Sequence, residues 1–222
     1  MFPLGSVLLP GDVLPLHVFE QRYRALIRRC LTDPKPEFGV VLIDRGHEVG
    51  GGDVRRDVGT VARLIQVAET PDGRFAAIAV GTRRIRVTAW LPEDPYPRAE
   101  VEDWPETDDD PAEVTALVEA VEGRVRRLAA LAAEVGEPAG SIVDQINPDP
   151  LAASHQLVTM APVGAADRYD LRCSTGGRSG RPRRPAPWSR RRRPRCPSGS
   201  AACATGTIAT RGRATRRWPS AR

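Results

Sequence analysis

FPLGSVLLPGDVLPLHVFEQRYRALIRRCLTDPKPEFGVVLID, residues 2–44, sets three backbone conformations in a row at short spacing. Phe2–Leu9 is apolar and strand-like, and Pro10-Gly11-Asp12 is a turn signal. Val13–Phe19 is a second β-rich run. A helix follows at once, because Tyr23, Leu26, Ile27, Cys30 and Leu31 recur at the 3–4 spacing of one helical face, with arginines between them. Phe38–Ile43 is then an unbroken apolar run, as expected of a strand buried on both faces.

Outward from this stretch the strands continue. Asp44–Gly52 is a glycine-rich loop, and Val58–Ala68 reads as a strand. Pro71-Asp72-Gly73 is a hairpin-type turn into strands Phe75–Val80 and Arg84–Leu91, with Gly81 as a bend or bulge between them. Tyr96–Trp104 is the last strand. Several short strands around one early helix predict a small closed β-barrel over 1–105. Past the acidic segment Glu106–Asp110 the pattern turns helical. Asp110 is an N-cap, Pro111 fits the first helical position and Glu113 completes a capping box. Val114, Leu117, Val118, Val121, Val125, Leu128, Leu131 and Val135 then keep a helical period that Gly136 ends. Further helices are expected over 140–146, from the cap Asp149 to Pro162, and from Val163 through Leu171. The fold class is therefore α+β: a barrel with one early helix, then a short α-helical bundle over 106–171.

At Leu171 the pattern fails. Residues 172–222 hold 15 arginines, no acid and Ile208 as the one aliphatic beyond alanine. Such a segment cannot offset the entropy of ordering it, so a disordered basic tail is expected. It reads either as a selected tail for nucleic acid or acidic partners, or as a frameshift product of a GC-rich gene. The chain has 33 basic and 28 acidic residues; with the tail removed, 18 basic stand against 28 acidic, so the body is acidic.

The text FPLGSVLLPGDVLPLHVFEQRYRALIRRCL with FGVVLIDRG resembles the opening of the Lon-protease amino-terminal (substrate-binding) domain, in its small stand-alone bacterial form. Gln21 departs from it where relatives usually carry proline after Phe-Glu. The resemblance spans about residues 2–171, specific in 2–43 and consistent in the helices. It implies a PUA-like barrel followed by helices, and a non-catalytic module that grips unfolded or degron-bearing polypeptides as an adaptor to a protease, or as a holdase. Such a barrel can bind an extended chain by strand addition and by burying side chains. The candidate peptide contacts are the apolar residues at the first turn, Leu9, Val13 and Leu14. An alternative is RNA or other nucleic-acid binding through a PUA-like barrel and the basic tail. The acidic body argues against sequence-specific RNA contacts, which leaves non-specific binding by the tail.

Catalytic and cofactor chemistry is not expected. The phosphate loop G-x-x-x-x-G-K-[ST] is missing, and the single lysine, Lys35, sits between two prolines in a turn, a poor place to lower an amine pKa for a Ser–Lys dyad. His47-Glu48 is not H-E-x-x-H, because position 51 is glycine. Ser154 and His155 are adjacent on a helix and so diverge. Asp108–Asp110 reads as linker and cap. Gly50–Gly52 has neither lysine nor a following helix. Phe19, Tyr23, Trp90 and Trp104 are assigned to the core. Cys30, Cys173, Cys196 and Cys203 show no C-x-x-C spacing and read as reduced thiols. With no leader and no long apolar run, a cytoplasmic protein without membrane contact is expected.

Overall fold

The computed structural model describes residues 1–48, 52–105, 110–136 and 144–173. In chain order the elements are β1 (Phe2–Leu4), β2 (Val13–Val18), α1 (Gln21–Leu31), β3 (Glu37–Arg45), β4 (Val54–Glu69), β5 (Phe75–Leu91), β6 (Arg98–Asp103), α2 (Pro111–Glu134), α3 (Pro150–Met160) and α4 (Ala165–Cys173). The class is mixed α+β, one six-stranded sheet with four helices among the described residues.

The long hairpin β4–β5 is the spine of the sheet. Its turn closes because Gly73 takes a left-handed φ of 73°, and Gly73 N–H donates to the Thr70 carbonyl at 2.8 Å. β3 lies antiparallel on the outer edge of β4, and β1 lies parallel on β3. The other edge of β5 is shared end to end: β2 takes Phe75–Val80 and β6 takes Ile85–Leu91. In the interval between them the Pro10-Gly11-Asp12 turn docks. Gly11 N–H donates to Gly81 O and Gly81 N–H to Asp12 O, both at 2.9 Å. A Cβ on Gly81 would collide with the Leu9 carbonyl oxygen, so only glycine allows this approach.

The middle strands are buried on both faces, as the unbroken apolar run predicts. One face carries α1: Tyr23, Leu26, Ile27 and Cys30 pack with Phe38, Val40, Ala62 and Ala79. Phe2 stacks on Tyr23 with ring centroids 4.2 Å apart. On the opposite side Val41, Val61, Ile85 and Val87 form a second cluster. The helical segment supplies a third, where Tyr169 meets Leu9, Leu42 and Val58. Glu37, nearly buried, accepts from Arg63 at 2.8 Å and from Arg83 at 2.9 Å. Burial alone would raise its pKa; the two guanidiniums outweigh that and hold it below the usual carboxylate range.

Both expected N-caps form, but the Asp110 cap bonds the second helical residue and not Glu113, so the expected capping box is not made. Asp110 accepts from Ala112 N–H at 2.9 Å and Asp149 from Ala152 N–H at 2.7 Å, each ahead of a proline in the first turn. The helices are tied to the sheet by polar contacts as well. Tyr169 Oη accepts from Val58 N–H at 3.3 Å, Thr159 Oγ1 donates to Asp12 at 2.7 Å, Arg84 donates to the Arg172 carbonyl at 2.7 Å, and Arg172 donates to the Val58 carbonyl.

Several expectations are corrected. β1 ends at Leu4, and the rest of the Phe2–Leu9 run is irregular although Val7, Leu8 and Leu9 are buried. β5 runs unbroken through Gly81, whose irregularity is a register shift opposite Val61 and Ala62. The expected full closure of the barrel is not made by strand pairing: among the described residues no ladder joins β1 to β2 or β6. The Met1 nitrogen instead donates to Pro97 O at 2.6 Å, across the gap before β6. The short helix over 140–146 falls largely outside the described residues, and 144–146 are not helical. Arg172 and Cys173, expected to begin the tail, close α4, with Arg172 buried; the remainder of the expected tail, 174–222, lies outside the described residues. The α2 stripe, expected in a bundle core, is half open: Ala129 is buried, while Leu117, Leu128, Leu131 and Val135 are largely exposed, Leu117 in the wall of a cleft toward α3 and α4.

Candidate functional site

The turn that joins β1 to β2 sends its three candidate residues to three environments. Leu9 is 1% exposed and packs under α4 in the third cluster. Val13, at the start of β2, is 65% exposed. Leu14 is half-buried, packed on the main core, and lines a cleft of about 270 Å³ between β1 and β2. The structure thus brings Val13 and Leu14 to one edge and places Leu9 inside.

Phe19 belongs to this cleft and not to the core. It is 52% exposed, one residue past β2, on the rim formed with Phe2, Leu4 and Leu14. Its side was legible in the alternation: Leu14, Leu16 and Val18 point inward, so the odd-numbered positions Val13, Pro15, His17 and Phe19 point out. A β-rich run carrying an outward phenylalanine is the signal that the core assignment passed over.

The rim is acidic and ordered. Glu48 Oε1 accepts from Gly5 N–H at 2.5 Å, and Glu20 pairs with Arg22 at 3.1 Å. Both edges that face this gap carry a proline at their centre, Pro3 in β1 and Pro15 in β2. Proline has no N–H to donate, so backbone pairing with an added strand is blunted on either side. Burial of apolar side chains in the cleft is the stronger source of affinity for an extended chain here.

A second cleft, of about 560 Å³, lies between α2 and the pair α3–α4, with Val118, Leu157 and Leu171 in its walls. His155 sits there, its pKa pushed down to about 4 first by burial and then by the charge of Arg84. Burial likewise lowers the pKa of Arg172.

The Cys30 thiol is raised to about 11 by burial, which suppresses the thiolate. His17 and His47 are exposed, and no group of three His, Cys, Asp or Glu able to hold a metal occurs among the described residues. The Asp108–Asp109 and Gly50–Gly51 positions lie outside the described residues. Among the described residues no helix is long and apolar enough to cross a membrane.

Comparison with known proteins places these features in a family. The model of the ATP-dependent protease La (LON) substrate-binding domain matches residues 1–169. The Lon protease of Anaeromyxobacter dehalogenans is 34% identical over 147 residues, which are 64% of this chain and 17% of that protein. Lon protease 2 of Myxococcus xanthus is 32% identical over 145 residues, again 64% and 17% of the two chains. The chain therefore spans less than a fifth of the length of these relatives. Among solved structures, the Lon N-terminal domain protein from Xanthomonas campestris superposes with a TM-score of 0.53 at 28% identity, covering 78% of this chain and 88% of that one.

Proposed function

This chain belongs to the Lon substrate-binding domain family, and from that premise we propose that it is a non-catalytic module holding unfolded or degron-bearing polypeptide, as a proteolysis adaptor or a holdase. The family match lies in the substrate-binding part and not in ATPase or protease modules, so the recognition role is the one that carries over. The observation that carries the reading is the β1–β2 cleft with Phe19 exposed on its rim, and Val13 exposed at the start of β2. An apolar edge of this kind buries side chains of an extended client without reading their sequence. The reading divides the chain into a barrel over 1–105, a helical unit over 106–171 and a tail over 172–222, and sets it in the cytoplasm.

The test is light scattering of a reduced, unfolded model protein with the full chain added. Retarded aggregation, lost on Phe19→Ser and Val13→Asp with an unchanged thermal midpoint, supports the reading. No retardation by the parent chain overturns it. Co-purification of an ATP-dependent protease separates adaptor from holdase. Nucleic-acid binding is the second reading, favoured only by the 14 arginines from 174 onward, Arg172 being buried in α4. That affinity should vanish on deleting 174–222 and fall steeply with salt.

A further inference from the structure

The sheet has a third open edge, and a cavity runs along it. β6 pairs with β5 alone, and among the described residues no strand covers its other edge. The Trp104 N–H donates to Arg84 O at 3.0 Å, and residues turned toward the partner alternate along an antiparallel strand. Glu102, Glu100 and Arg98 therefore turn their backbone groups to β5, while Val101 and Ala99 turn theirs outward. Unlike β1 and β2, β6 contains no proline, so this edge keeps every donor. Across the cavity, β3 pairs with β1 only from Val40 onward, which leaves the same edge open at Glu37 and Phe38. The cavity, of about 400 Å³, is lined by residues 37–39 on one side and 98–100 on the other, with α1 beside them.

Met1 fixes the register of a strand placed there. It stands beside Gly39, one residue before the Phe2–Val40 pair, and its nitrogen bonds Pro97 O at 2.6 Å. A strand arriving in line with β1 runs parallel to β3. It runs antiparallel to β6, because the β3–β4, β4–β5 and β5–β6 pairs are each antiparallel. Its last residue lies between Phe38 and Arg98, and the residue before it faces Ala99, whose N–H and carbonyl bond it. Met1 holds the next place, so the added strand ends here and is the carboxyl terminus of a chain.

The walls select the terminal residues. The last side chain falls on the face shared by Phe2 and Phe38, toward Leu26 and Tyr96, and is large and apolar. The third and fifth from the end lie opposite the exposed Glu100 and Glu102, and are basic. Arg98 and Arg29 also line the cavity, at the terminal end. Their printed partners are neutral: Arg98 donates to Pro92 O at 3.2 and 3.1 Å, and Arg29 to Thr32 Oγ1 at 3.2 Å. A terminal carboxylate gives them a counter-charge. Of the other acids in the wall, Glu37 is already paired with Arg63 and Arg83, and Asp33 accepts from the Lys35 N–H.

We propose that the cavity between β3 and β6 holds the carboxyl-terminal segment of a client polypeptide as an added strand on β6. The segment has an apolar last residue and basic residues third and fifth from its end. The proposal rests on the reading of this chain as a polypeptide-binding module, but not on the β1–β2 cleft.

The test is fluorescence anisotropy of the full chain with a labelled twelve-residue peptide ending Lys-Val-Lys-Ala-Leu. Saturable binding is expected. Amidating its carboxyl terminus, adding four serines after the leucine, or methylating the alanine nitrogen should each weaken it at least tenfold. Methylating the nitrogen of the second lysine, which points away from β6 beyond the start of β3, should leave it unchanged. Glu100→Lys, with an unchanged thermal midpoint, should favour a peptide with glutamate third from the end. Equal affinity for the free, amidated and extended peptides, or no binding, overturns the proposal. So does loss of binding on Phe19→Ser with Val13→Asp, which would place the peptide in the β1–β2 cleft. A native protein whose mass shows residues ahead of Met1 also overturns it, because those residues would lie along β6 themselves. Unretarded aggregation with this binding intact would count against the cleft and not against this site.

Discussion

Gly81 shows how one missing side chain positions a whole edge. Its N–H and carbonyl both bond the Gly11-Asp12 turn, and its α-carbon lies against the Leu9 carbonyl. Gly81→Ala has no room at a backbone atom and should cost roughly 1–3 kcal/mol, read as a lower urea midpoint with an unchanged slope. Its presence in a strand was legible as a bend or bulge; what it touches was not, because the contact joins residues 70 positions apart. His155 acts through charge. It is neutral in the folded chain, with a pKa near 4 against 6.5 for the free side chain. Between those values the unfolded chain binds the extra proton, so this contribution to stability is complete above pH 6.5 and falls as pH drops toward 4. Urea midpoints taken across that window should decline, and His155→Gln should flatten the decline.

At the scale of elements, α1 and α2 behave differently although both read as amphipathic helices. α1 buries its predicted face because β3, β4 and β5 supply a surface for Tyr23, Leu26, Ile27 and Cys30. α2 has more apolar positions than one partner can cover, so its stripe divides between α3 and the outside. Leu157→Ala, on the buried face of α3, should cost about 2–4 kcal/mol. Leu131→Ala, on the open side of α2, should change the stability of the isolated protein by less than about 0.5 kcal/mol. Chemical denaturation of the two variants side by side checks both. Periodicity identified the helix correctly, but it could not say which neighbour, if any, meets each residue of a broad stripe.

Across the molecule, sheet and helices share one core. Tyr169 packs with Leu9 and Val58, Thr159 bonds Asp12, and Arg84 bonds the end of α4. Unfolding monitored at 222 nm, dominated by α2, and in the near ultraviolet, reporting Tyr23 and Trp90 on the sheet side, should give coincident transitions. Separate midpoints would show that the helices melt on their own and that these stitches contribute little.

The sequence by itself determined what local physics controls. Strand runs, the first helix, the turns at Gly11 and Gly73, and the Asp110 and Asp149 caps all follow from spacing and backbone preference within a few residues. The acidic body and the lack of a phosphate loop were legible in the same way, and so was the resemblance in residues 2–43. Tertiary structure alone decided what depends on distant segments meeting. It sent Leu9 inward and Phe19 outward from one short run, placed Arg172 in the interior, left the ladder open between β1 and β2, and exposed half of α2. Burial is a property of pairs of surfaces, and no single stretch of chain contains its own partner.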